Sequence, residues 1–115
     1  MLAHIGDWFA HWASRDGEPR EDSWEISNAG VIAGRRREGD ACYISRLSFA
    51  NGPMVAGPPI GLGVGSVPGG VLTVLVSWQE GVVPAELMAG LVHDLGEWTR
   101  RLGEEGSFFT VATKG

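Results

Sequence analysis

The chain reads as a small α+β domain: a mostly antiparallel four-stranded sheet, with an N-terminal and a C-terminal helix packed on one face. Three observations point there. Apolar residues recur at helical spacing near both ends, at Ile5, Trp8, Phe9 and Trp12 and again at Leu87, Leu91, Leu95, Trp98 and Leu102. Between them the apolar period drops to two. Two of the alternating runs, Ile60–Ser66 and Val71–Trp78, are separated by Pro68-Gly69-Gly70, a strong hairpin signal.

The first helix is expected over Leu2–Ser14, ending near Gly17 because glycine suits a helix terminus and Pro19 cannot continue it. The charged run Arg15–Asp22 follows as an exposed loop. A strand is expected from Trp24, carrying Ile26, Asn28, Val31 and Ile32, with Gly30 marking a bulge or a close backbone approach. Gly34–Asp40 reads as a polar hairpin loop. Ala41–Phe49 reads as a second strand, with Tyr43, Ser45, Leu47 and Phe49 on one side and Cys42, Ile44 and Arg46 on the other. The third strand alternates Ile60, Leu62 and Val64 with Gly61, Gly63 and Gly65. That glycine stripe lets another group approach the backbone, with Trp78 or Trp98 as the expected occupant. The fourth, Val71–Trp78, is apolar on both faces and so is expected at the centre of the sheet. Pro84 opens the last helix and Gly103 closes it. The domain is thus expected over residues 1–103. Residues 104–115 form a loosely held tail, whose Phe108, Phe109 and Val111 could add a strand to another sheet.

Composition narrows the function classes. With 115 residues there is room for one domain, and a hydrophobic fraction of 43% is enough for a core. The net charge of −5 argues against a nucleic-acid partner, which needs a basic face. One cysteine, Cys42, excludes an internal disulfide and a cysteine-based zinc cluster. No apolar run approaches a membrane span and no signal-peptide core is present, so the expectation is a soluble, cytoplasmic protein.

Four side-chain groupings are candidates for chemistry. His4, Asp7 and His11 share one side of the first helix, but the histidines are two turns apart, so a solvated face with an Asp7–His11 pair is preferred to a metal site. His93 and Glu97 are one turn apart, yet opposite the apolar stripe and without a hydroxyl nucleophile beside them, which favours a surface pair; Glu97 can also pair with Arg101. Arg35, Arg36 and Arg37 offer a weak phosphate-binding set. The glycine stripe lacks the following helix that a dinucleotide site needs. No catalytic residue, metal ligand or tightly bound cofactor is assigned.

Three segments together carry a family resemblance: Trp24-Glu-Ile-Ser-Asn-Ala-Gly-Val-Ile32, Ile44-Ser-Arg-Leu-Ser-Phe-Ala-Asn51, and the hairpin from Gly63 to Val83 that ends in Val76-Ser-Trp-Gln-Glu-Gly-Val-Val83. With the closing amphipathic helix, this order resembles the C-terminal end of fungal alcohol O-acetyltransferase-like proteins, of the chloramphenicol acetyltransferase-like superfamily. The resemblance implies the C-terminal part of that fold, acyl transfer from acetyl-CoA as co-substrate to an alcohol, and a channel flanked by Ser27, Asn28 and Gly30. The family's general base is the histidine of a His-x-x-x-Asp motif. Here the residues four after His4, His11 and His93 are Trp8, Arg15 and Glu97, so the motif is absent from this chain. The resemblance therefore implies an incomplete acyltransferase-like domain, not catalytic alone, whose partner is a missing N-terminal half, a second copy or another protein. The alternative is a non-catalytic domain that binds a protein or ligand through its sheet.

Overall fold

A computed structural model describes residues 6–34, 37–52 and 55–106. The chain divides into two compact units, Met1–Val82 and Val83–Gly115. The first contains helix α1 (Trp8–Ala13) and strands β1 (Trp24–Val31), β2 (Ile60–Ser66) and β3 (Leu72–Trp78); the second contains helix α2 (Ala85–Glu105). The class is α+β, as the two periodicities predict, and the described residues form a sheet of three strands in the order β1-β2-β3.

The sheet is mixed rather than mostly antiparallel. β2 and β3 form the expected hairpin, from Ile60↔Trp78 to Ser66↔Leu72. Pro68 and a left-handed Gly69 (φ 74°) occupy its turn, closed by the Gly70 N–H donating to the Val67 carbonyl at 2.8 Å. β1, however, runs parallel to β2, from Trp24↔Ile60 to Val31↔Ser66. β3 lies at an edge, not at the centre as its apolar character suggested. Apolar residues on both faces of a strand reflect cover above and below the sheet; they carry no information about whether the strand has two hydrogen-bonded neighbours.

The expected second strand, Ala41–Phe49, does not form: residues 42–50 make no ladder. Parallel strands require a long crossover between them, usually a helix. Residues 32–59 provide it as irregular and extended chain, without a helix among the described residues. Part of it, residues 44–51, lies flat across β2. Period-two alternation along this segment thus separates a sheet-facing side from a solvent-facing side, which is the same pattern a ladder strand would show.

The register assigns the two faces of the sheet. Glu25, Ser27, Gly61, Gly63, Gly65, Thr73, Leu75 and Ser77 share one; Trp24, Ile26, Asn28, Ile60, Leu62, Val64, Val74, Val76 and Trp78 share the other. The crossover covers the glycine face. A Cβ built on Gly63 would collide with the Phe49 carbonyl, and one on Gly65 would sit 2.8 Å from the Leu47 side chain. The occupants of the stripe within this unit are therefore Phe49 and Leu47, and Trp78 lies on the opposite face. Gly63, Gly65 and Val67 are buried, and Val67 is the large apolar residue of this unit with the least exposure among the described residues, at 3%.

α1 is shorter than expected. It opens at Trp8, where the Asp7 carboxylate accepts the Ala10 N–H at 3.0 Å and caps the helix; residues 2–5 of the expected helix lie outside the described residues. Single turns carry the chain on to a left-handed Gly17 (φ 86°), just before Pro19. Trp8 and Phe9 are 63% and 84% exposed, so the expected packing of this stripe on the sheet is not realised. Trp12 is half-buried, with the Arg15 guanidinium 5.8 Å from its ring centre.

α2 begins after Pro84, whose extended backbone makes it the cap residue rather than the first helical residue. It runs past Gly103 to Glu105 and ends at a left-handed Gly106 (φ 70°), whose N–H donates to Leu102 at 3.0 Å. A helix-interior glycine costs only about 1 kcal/mol. The ion pair of Arg100 with Glu104, one turn on, helps carry the helix through Gly103. Phe108, Phe109 and Val111 of the expected tail lie outside the described residues.

Candidate functional site

The Ser27, Asn28 and Gly30 group lies on β1, an edge strand, and the structure separates its members. Ser27 pairs with Gly63 and shares the crossover-covered face; Asn28 pairs with Val64 and shares the opposite, apolar face. Adjacent residues on a pleated strand cannot line one wall together. Gly30 takes a left-handed φ of 68°, where the pairing register with β2 shifts between Asn28 and Val31. Of the two expectations for this glycine, a bulge or a close backbone approach, the structure shows the bulge, and nothing lies within 4 Å of a Cβ built there. The Gly30 N–H donates to Asn28 Oδ1 at 2.8 Å. The Asn28 amide is thereby oriented with its carbonyl oxygen turned into the bulge, leaving its NH₂ as the outward donor.

Of the arginine triplet, Arg35 and Arg36 lie outside the described residues. The Arg37 N–H donates to Asp40 Oδ2 at 2.7 Å, closing a turn at a left-handed Gly39. That turn joins β1 to the crossover rather than to an antiparallel neighbour, so it is not a hairpin tip. Arg37 and Asp40 line an open cleft of about 940 Å³ with Gly34, Cys42, Tyr43 and Pro68. One carboxylate beside one described guanidinium leaves little net positive charge there for a phosphate.

His4 lies outside the described residues. Its expected companions are engaged locally: Asp7 caps α1, and the His11 ring stands edge-on to Trp8 and Trp12, at 5.7 and 5.5 Å between ring centres. The predicted Asp7–His11 side-chain pair is replaced by that cap. On α2, His93 Nδ1 faces Asp94 Oδ1 at 3.4 Å, and Glu97 pairs with Arg100 at 2.8 Å rather than with His93 or Arg101. The hydrogen bond and charge of Arg100 hold the Glu97 carboxyl below the usual glutamate range. Because the folded value is depressed, the pair's contribution is complete above the ordinary glutamate range and is lost as pH falls through the depressed value. In a carboxylate NMR titration, Glu97 should titrate below the ordinary glutamate range, and Arg100→Ala should raise it toward that range. An unchanged Glu97 in that variant would show that Arg100 is not the cause.

A residue with no motif around it ties the first unit together. Arg20, half-buried, donates to the Gly57 carbonyl and to Gln79 Oε1, joining the loop after α1 to the segment entering β2 and to the end of β3. Its place within a run of charges makes it look like a solvated loop residue in the sequence.

The site as built contains an edge strand with an oriented amide and an exposed apolar side, Trp24 and Ile26 being 59% and 54% exposed. No helix among the described residues is long and apolar enough to cross a membrane. These features define an α+β sheet domain with no assembled acid–base set among its described residues. No protein-family model matches the chain, and no solved structure matches it significantly. Over 107 residues, 93% of its length, the chain is 33% identical to the probable alcohol acetyltransferase FCK4 of Fusarium pseudograminearum (strain CS3096). It spans 22% of the length of that protein. The resemblance to alcohol O-acetyltransferase-like proteins thus extends along nearly the whole chain.

Proposed function

We propose that this chain is an acyltransferase-like domain equivalent to the C-terminal part of an alcohol O-acetyltransferase, and that it does not catalyse acyl transfer alone. The observation that carries the reading is the match over 93% of this chain to 22% of a probable alcohol acetyltransferase. The parent chemistry is transfer of an acetyl group from acetyl-CoA to an alcohol. That reaction needs a general base to take the hydroxyl proton as the oxygen attacks the thioester carbonyl. This sequence has no His-x-x-x-Asp, and His93, its nearest approximation, has an arginine-paired Glu97 one turn away. The base would come from an N-terminal half, and the edge of β1 would lie along the channel between the halves. The outward NH₂ of Asn28 suits a donor role toward a carbonyl or a developing oxyanion. Ser27 and Gly30 would support that wall rather than line it beside Asn28. Any contribution of Arg35, Arg36 and Arg37 would be to coenzyme A phosphates.

The exposed Trp24 and Ile26 also favour the second reading, a domain that binds a protein through its sheet without catalysis. Two measurements separate them. The chain alone should give no acetyl-CoA-dependent acetylation of small alcohols above the buffer rate. A chimera in which it replaces the matching segment of FCK4 should regain acetyl transfer, reduced by Asn28→Ala. Turnover by the chain alone, abolished by His93→Ala, would overturn the first statement; a folded but inert chimera would favour the second reading.

A further inference from the structure

We infer that residues 44–51 form a releasable strap over β2, able to open without unfolding of the sheet beneath it. The strap lies on the glycine face: the Phe49 carbonyl sits against Gly63, Leu47 against Gly65 and the Ser45 carbonyl close to Gly70. Its fastenings are few. Ile44 N–H donates to the Gly34 carbonyl at 3.1 Å at one end, and Ser77 Oγ–H donates to the Asn51 carbonyl at 2.9 Å at the other. Between these ends no backbone hydrogen bond ties it to a strand among the described residues, and only Leu47 and Phe49 are half-buried while their neighbours are exposed. β2 beneath it is hydrogen-bonded on both sides, to β3 along its whole length and to β1 with a break at the Gly30 bulge. A segment with two anchor side chains and exposed backbone opens more readily than a doubly paired strand. Release would uncover the backbone of Gly61–Gly65, so the strap acts as a built-in cover for the one part of the sheet that has no side chains of its own. This inference is independent of acyl transfer.

Thiol labelling of Leu47→Cys in a Cys42→Ser background of the full chain tests it. Labelling should be slower than in the urea-unfolded chain, yet ~10-fold or more faster than global unfolding permits, and flat across low urea, the signature of local opening. Ser77→Ala, which removes one fastening, should speed labelling several-fold while the far-UV spectrum of the sheet is retained. Labelling that follows global unfolding with its full urea dependence would overturn the inference, as would labelling as fast as in the unfolded chain. If Leu47→Cys does not fold, Thr73→Cys on β3, which shares the covered face through its pairing with Gly65, reports the same opening.

Discussion

Gly63→Val is expected to lower the urea midpoint of unfolding by the equivalent of ~2 kcal/mol or more, the upper part of the range for overpacking substitutions. The cause is specific to this position. A Cβ at Gly63 would meet the backbone carbonyl of Phe49, and backbone cannot rotate away as a side chain can. The neighbouring glycines supply the internal scale. At Gly65 the obstruction is the end of the Leu47 side chain, and at Gly61 it is the Ser77 hydroxyl at 3.0 Å. Gly65→Ala should therefore cost about 1 kcal/mol, because Leu47 can adjust, and Gly61→Ala less than that. Equal effects at the three sites would mean that glycine conformational freedom matters there rather than contact with the strap. A near-normal midpoint for Gly63→Val would mean that the strap moves aside at little cost.

The second large effect is expected at Arg20. Arg20→Ala deletes hydrogen bonds to the Gly57 carbonyl and to Gln79 Oε1 and leaves the carbonyl of a buried residue without this donor. Hydrogen bonds from a fully buried charged donor contribute roughly 1.5–3 kcal/mol each; Arg20 is only half-buried, so water replaces part of what the substitution removes. A destabilisation of about 2–3 kcal/mol should appear in urea titrations followed by tryptophan fluorescence. Arg20→Lys should recover only part of it, since one ammonium cannot span two acceptors as the guanidinium fork does. Full rescue by lysine would reduce the role of Arg20 to its charge. An Arg20→Ala variant of unchanged stability would show that the Gln79–Pro59 backbone bond, at 2.9 Å, suffices to hold that corner.

Both effects arise where residues distant in the sequence meet, and this divides what could be read from the chain alone. Local chemistry identified the hairpin, because proline followed by two glycines between alternating runs satisfies a turn without outside help. It marked Gly30 as the irregular point of its strand, a bulge or a close backbone approach, and the structure decided for the bulge. It also located both helices, while missing where they stop and start: the Asp7 cap and the Arg100–Glu104 pair outweigh the weaker signals of apolar spacing and a single glycine. The motif order pointed to the acetyltransferase relationship that the identity to FCK4 supports.

Topology and pairing were decided only in three dimensions. Alternation from Tyr43 to Phe49 records that one side of an extended chain meets a surface. It cannot distinguish a strand hydrogen-bonded beside a neighbour from a strap laid over one. Nor do the apolar faces of β3 specify its neighbours in the plane, so its edge position was hidden. The same geometry placed Ser27 and Asn28, adjacent in sequence, on opposite faces, and brought Arg20 to Gly57 and Gln79. Spacing of two or of three and four residues is a short-range property of the backbone. Strand order, strap placement and the reach of Arg20 depend on contacts between segments tens of residues apart, formed when the parallel pairing of β1 with β2 sends the intervening chain back across the sheet.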